Sequence, residues 1–390
     1  MRLQRIFMAS LGALLFTTVF SITGRAEMIY GIQTSSSSAN ATVSNLVRFD
    51  SLSPDTVITV GPFTGVVAGD TLRSIDFRPS NGLLYGVSSN GTACQLYVVI
   101  ISTGQLVPVG PGFTLPFADT LNRVEMEFDP VADNIRILTA ANLDGSSNPV
   151  VNNFTLDPFT SVLTNQTPLN YIPGDPNAGL ANMEISAAAY SNPSGGATTL
   201  FAWDYITDSR VRIGSVGGTP DSSNTGRMTT VGLGPPFVTT NAGIGMDFGP
   251  SGTLYVTKDS VASTAMGLYT MNTTTGALTL VNNYGISISD ISVQRPATAA
   301  GVTLSGRVLL SPQGRGIVNA VVSITDSNGI TRNTTTGKGG RYAFDDLEIG
   351  GSYVVVVRSR SYSFSPQVVQ LLDSLADIDF FAEPSLPGTK

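Results

Sequence analysis

The sequence contains no histidine. That absence removes Ser-His-Asp and Cys-His catalysis, imidazole general bases and histidine-containing zinc sites together. Cysteine is nearly as scarce, because Cys94 stands alone. No disulfide can close within the chain, so stability has to come from a sizeable core. The thiol has no imidazole to activate it and is expected as a small apolar residue near the start of a strand. Charge is thin as well: Lys and Arg total 21 against 28 Asp and Glu. The few basic residues are scattered, which excludes nucleic acid as a partner, since a phosphate-binding surface needs clustered cations. No Gly-x-Ser-x-Gly elbow, phosphate-cradling loop or dinucleotide fingerprint is present.

What the chain does have is Gly, Thr, Ser, Val and Asn, a usage that suits short strands and tight turns. One apolar run, Ile6 to Ile22, follows Arg2 and Arg5 and precedes Gly24-Arg25-Ala26. Residues 1–26 therefore read as an export signal cleaved after Ala26, too short for a spanning helix. The expected location is secreted, extracellular or periplasmic, with no stable membrane span after cleavage.

Beyond the leader the chain repeats a phrase. Ile75-Asp76-Phe77-Arg78-Pro79 followed by Leu84-Tyr85-Gly86 returns as Met246-Asp247-Phe248-Gly249-Pro250 followed by Leu254-Tyr255-Val256. Leu96-Tyr97 with Thr103-Gly104 then returns as Leu268-Tyr269 with Thr275-Gly276. Units of four strands with matching spacing, about 50–60 residues apart, predict radial repetition. Looser copies open at Val124–Phe128 and Ile185–Tyr190. The first unit, from Met28, lacks an opening strand, whereas Ile286–Val293 is a spare strand after the fifth. Pairing of that segment with the first unit would close a five-bladed β-propeller over 27–293. Residues 294–301 read as a linker, 302–383 as a small β-sandwich of about seven strands, and 384–390 as a tail. The expected fold class is all-β.

The C-terminal stretch resembles the carboxypeptidase regulatory-like domains, relatives of collagen-adhesin B-repeats. The likeness rests on Ser305-Gly306-Arg307-Val308, Asn319-Ala320-Val321-Val322 and Gly340-Arg341-Tyr342-Ala343-Phe344. It implies a non-catalytic spacer, stalk or accessory module. Some adhesin relatives carry a Lys–Asn crosslink; Lys338 lies in a Gly-rich turn, so none is expected here. Residues 28–293 resemble the bacterial family called domain of unknown function 4394, through Ser74-Ile75-Asp76-Phe77-Arg78-Pro79, Phe128-Asp129-Pro130 and Asp133-Asn134-Ile135-Arg136. That resemblance implies an exported, propeller-like protein and no particular chemistry.

Candidate sites are few. Asp76, Glu127 and Asp247 hold the same position in the opening strands of three units. At one level of a central channel they would bind a hard cation such as Ca²⁺, raise one another's pKa, or simply bond backbone amides at turns. A pair of them would in principle serve glycoside hydrolysis, which needs no histidine. Phe63, Phe113, Phe117 and Phe237, in loops entering successive units, and Tyr171, in the long 166–184 insertion, make up a candidate binding face. The alternative for the phenylalanines is plugging between units, and Trp203 is expected in the core. The leading expectation is a non-enzymatic binding or scaffolding protein that engages protein or glycan at the cell exterior. A carbohydrate-active enzyme using the channel carboxylates is the competing one.

Overall fold

Short alternating strands punctuated by glycine-bearing turns dictate sheets. The computed structural model contains seven of them and no α-helix among the described residues. Those residues are 26–35, 43–116, 123–139, 152–180, 183–192, 196–233, 243–258, 266–295, 302–312, 314–326, 331–347, 352–371 and 374–383. The proposed leader up to Arg25, most of the linker and the tail lie outside them, as do Phe117 and Phe237.

The second sheet runs Thr71–Phe77, Leu84–Ser89, Ala93–Ile100, Gln105–Thr114, each strand antiparallel to the last. The third follows with Val124–Phe128, Ile135–Thr139, Asn153–Leu156 and Leu163–Asn165. The fourth has Ile185–Tyr190, Leu200–Asp204, Ser209–Ile213 and Arg227–Leu233, and the fifth Ile244–Phe248, Leu254–Lys258, Gly267–Met271 and Leu278–Asn283. The first sheet is assembled from both ends of this region. Its order is Ser287–Val293, Met28–Thr34, Val43–Asp50, Ser53–Pro62, with Tyr30 opposite Ser292 and Gly31 opposite Ile291. The spare segment near Ile286 therefore pairs with the first unit, as its spacing requires.

Burial follows strand position. The first strands of the third and fifth sheets are buried at every residue, whereas the last strand of the fifth, Leu278–Asn283, has no buried residue. The apolar side chains form a separate core between each sheet and the next. Tyr85, Val98, Met126 and Ile137 join the second to the third, and Ala189, Trp203, Met246 and Val256 the fourth to the fifth. Ile29, Val47, Tyr255 and Leu268 join the fifth back to the first. Each buried aliphatic or aromatic side chain in these seams contributes about 1.5–3 kcal/mol.

The 166–184 segment is not merely a projection. Asn170–Tyr171 adds a fifth, parallel strand to the outer edge of the fourth sheet, pairing with Arg227 and Met228. Tyr171 is buried there and donates to Asp204 at 2.6 Å.

The C-terminal region holds two further sheets, Arg341–Leu347, Val302–Leu309, Phe380–Phe381 and Thr331–Thr335, Val321–Thr325, Ser352–Arg358, Gln367–Gln370. They enclose their own core around Leu304, Val322, Phe344, Val355 and Phe380. Lys338 lies in a short 3-10 turn, Lys338–Gly340.

Candidate functional site

In the five strands that begin the sheets or, in the first sheet, end the region, two alternate positions face the neighbouring sheet. They are Ser74 and Asp76, Glu125 and Glu127, Ala187 and Ala189, Gly245 and Asp247, Asp290 and Ser292. A period of two puts both positions of each pair on one face of their strand. That face meets the next sheet's edge, whose N–H groups have no ladder partner on that side.

The polar members of these pairs supply the missing acceptors. Ser74 Oγ accepts from Met126 N at 3.2 Å, and Asp76 Oδ2 from Phe128 N at 2.8 Å. Glu125 and Glu127 accept from Ala188 N and Tyr190 N at 3.1 and 3.0 Å. Asp290 and Ser292 accept from Ile75 N and Phe77 N at 2.8 and 2.9 Å. Asp247 Oδ2 accepts from Val293 N at 2.6 Å. Gly245 serves the same seam by having no side chain, since a Cβ there would lie 2.5 Å from Ile291 N.

Asp76, Glu127 and Asp247 do converge. One oxygen from each lies within 4.8 Å of the others, and all three residues are buried. They neither sit at turns nor face solvent at a mouth. Ser292 Oγ stands between two of them, 2.9 Å from Asp76 Oδ1 and 3.0 Å from Asp247 Oδ2. A hydroxyl has one proton to give, so both contacts are hydrogen bonds together only when one carboxyl is itself protonated. Arg295, two residues past the strand Ser287–Val293, supplies the cluster's positive charge. Its guanidinium Nη2 donates to Asp247 Oδ1 and, at 3.2 Å, to Phe248 O.

Charge and burial set the titration. Burial, then the Asp247 charge, pushes Asp76 up to about 7, while Arg295 and the Phe128 amide pull the other way. Burial, with Asp76 and Asp247 beside it, holds Glu127 well above the usual carboxylate range. Burial does the same to Glu125, aided by Asp290, and to Asp290 itself. Burial also raises Asp247, against the pull of Arg295. For Arg295, burial works against the charged form, but Asp247, Asp76 and Glu127 outweigh it and raise its pKa.

The proposed binding face is corrected by burial. Phe113 packs with Leu96, Leu115 and Val124 between the second and third sheets, and is buried. Tyr171 is buried with Leu169 and Met183. Neither ring is available to a partner. Phe63 is half-buried against the core between the first and second sheets. Phe117 and Phe237 lie outside the described residues. Cys94 is buried in Ala93–Ile100, and Trp203 is buried between the fourth and fifth sheets, as expected.

Sequence reasoning missed Glu125, Asp290, Ser292 and Arg295. The first three stand in the polar-x-polar frame that flagged Asp76, so the pattern Ser-Ile-Asp, Glu-Met-Glu, Asp-Ile-Ser was there to be aligned. Arg295 falls in the segment read as linker and had no such signal. Two motif residues also gain a role. Arg78 donates to Asp133 through Nε at 2.9 Å and Nη2 at 2.6 Å, tying the second sheet to the third. Arg136, fully buried, donates to Tyr190, Asn153, Ser223 and Asn224, tying the third to the fourth.

These features define an all-β protein whose successive sheets are fastened by buried polar side chains, with an acidic cluster where several of those fastenings meet. The chain belongs to the family described as domain of unknown function DUF4394, whose model matches residues 45–292. A carboxypeptidase regulatory-like domain follows over residues 303–376. No curated protein matches the chain. Among solved structures, it is similar to TolB from Acinetobacter baumannii, at 15% identity and a TM-score of 0.37 over 81% of this chain and 65% of TolB. It thus spans just under two thirds of that relative. It is also similar to the extracellular domain of the one-component system BT4673 from B. thetaiotaomicron, at 11% identity and a TM-score of 0.31, covering 91% of this chain and 57% of that one. The Dos1 propeller is similar at 14% identity and a TM-score of 0.31, covering 92% and 82%.

Proposed function

We propose that this chain is an exported, non-enzymatic binding or scaffolding protein, built as a five-bladed β-propeller followed by a seven-stranded β-sandwich. The propeller would engage a protein or glycan outside the cell, and the sandwich would act as spacer or second contact. One observation carries the reading. The acids that chemistry would need are spent on backbone amides of neighbouring sheets and are sealed from water. Paired glycosidase carboxylates work about 5–9.5 Å apart on either side of a reachable bond. Here all three acids are buried, out of a substrate's reach and suited to holding sheets together.

The sandwich supports a contact role through exposed apolar side chains on one sheet. Val354 and its cross-strand partner Val368 are 40% and 75% exposed, and Val321 on the adjoining strand 39%. Among the described residues no helix is long and apolar enough to cross a membrane.

The test is a glycan and surface-protein binding panel run beside a hydrolysis assay, on wild type and Glu127→Gln. Binding without turnover, retained in the variant, is the expected result. Turnover that disappears in Glu127→Gln would establish the carbohydrate-active enzyme instead.

A further inference from the structure

The acidic cluster and Arg295 together carry an inference beyond scaffolding. Three carboxylates that place an oxygen each within 4.8 Å of one another offer part of the oxygen shell a hard cation takes. The positive charge actually present is delivered by the chain itself. Arg295 is buried and reaches Asp247 and Phe248 through Nη2 alone. Its Nε and Nη1 are buried with no hydrogen-bond partner among the described residues. A guanidinium ordinarily seeks carboxylate forks that use more of its donors. This one is held by charge at the expense of its hydrogen bonds, so its place in the cluster is electrostatic.

We propose that Arg295 is a tethered internal cation, occupying a divalent-cation site that the ring of acids would otherwise form. The residue follows the strand that pairs the end of this region with its beginning, Gln294 donating to Met28 O at 2.8 Å. Pairing of that strand therefore brings the cation to the acids, and its withdrawal leaves Asp76, Glu127 and Asp247 with excess negative charge. The fit is chemical: all the donors are carboxylate oxygens, and neither histidine nor thiolate adjoins them.

The experiment is a calcium titration of thermal unfolding on the full-length chain at constant ionic strength, with wild type, Arg295→Ala, Arg295→Lys and Arg295→Ala/Glu127→Gln. Wild type should not respond to millimolar Ca²⁺. Arg295→Ala should melt lower and regain most of the loss on adding Ca²⁺, more than with Mg²⁺, which tolerates irregular geometry poorly. Arg295→Lys should behave like wild type, and the double variant should lose the calcium response. A calcium-stabilised wild type would overturn the proposal, because the ring would then hold a metal beside Arg295. So would an Arg295→Ala protein that folds but ignores Ca²⁺. Should Arg295→Ala not fold alone, refolding it with and without 5–10 mM Ca²⁺ (about five to ten times the dissociation constant of the weakest extracellular sites) gives the same two answers.

Discussion

At the residue scale, the buried acids make stability depend on pH with a definite sign. A carboxyl whose pKa is raised by folding keeps a proton that the unfolded chain has lost, so its contribution is most favourable below the unfolded value. It worsens as pH rises through the folded one. With Asp76 at about 7 and Glu125, Glu127 and Asp290 also displaced upward, the melting temperature should fall between pH 5 and 7.5. Each extra proton held by the folded state changes the folding equilibrium about tenfold per pH unit. Glu127→Gln should flatten that slope, as seen by calorimetry across the same window. Lys258, lowered to about 8 chiefly by burial, acts in the opposite sense only at higher pH, so the window avoids it. Arg136 offers a second test. Replacing it with Met leaves several buried acceptors unpaired, and urea unfolding should show a loss of ~3–5 kcal/mol.

At the scale of elements, the seams between first strands matter more than any single sheet. Gly245→Ala would drive a methyl group into the backbone of Ile291, which should destabilise the protein by about 1–3 kcal/mol in denaturant melts. Strand positions were legible in the sequence because period-two alternation and glycine turns are local signals. Asp76, Glu127 and Asp247 were legible as a set because they share one frame of a repeated phrase. Their partners were harder to read. Asp290 and Ser292 sit in the one unit whose first strand is displaced to the far end of the region, and Arg295 follows no periodic rule. Tyr171 and Phe113 were misplaced because a loop-like composition says nothing about which rings a neighbouring sheet will cover. Asn170–Tyr171 is too short for any pattern to announce, and its pairing depends wholly on the edge beside it.

At the scale of the whole molecule, the region up to Arg295 and the region from Val302 keep separate apolar cores. Heating the full chain should therefore give two resolved calorimetric transitions. A variant cored out in the C-terminal part, such as Phe344→Ala, should shift only one of them, by about 3–5 kcal/mol of lost stability.

The partnership of Tyr30 with Ser292 also imposes a schedule on biosynthesis. A strand made among the first must wait, its edge unsatisfied, until almost everything else in this region has emerged from the ribosome. Nascent chains halted before residue 287 should accordingly remain prey to proteases and chaperones, and resistance should arrive abruptly once the last strand is released.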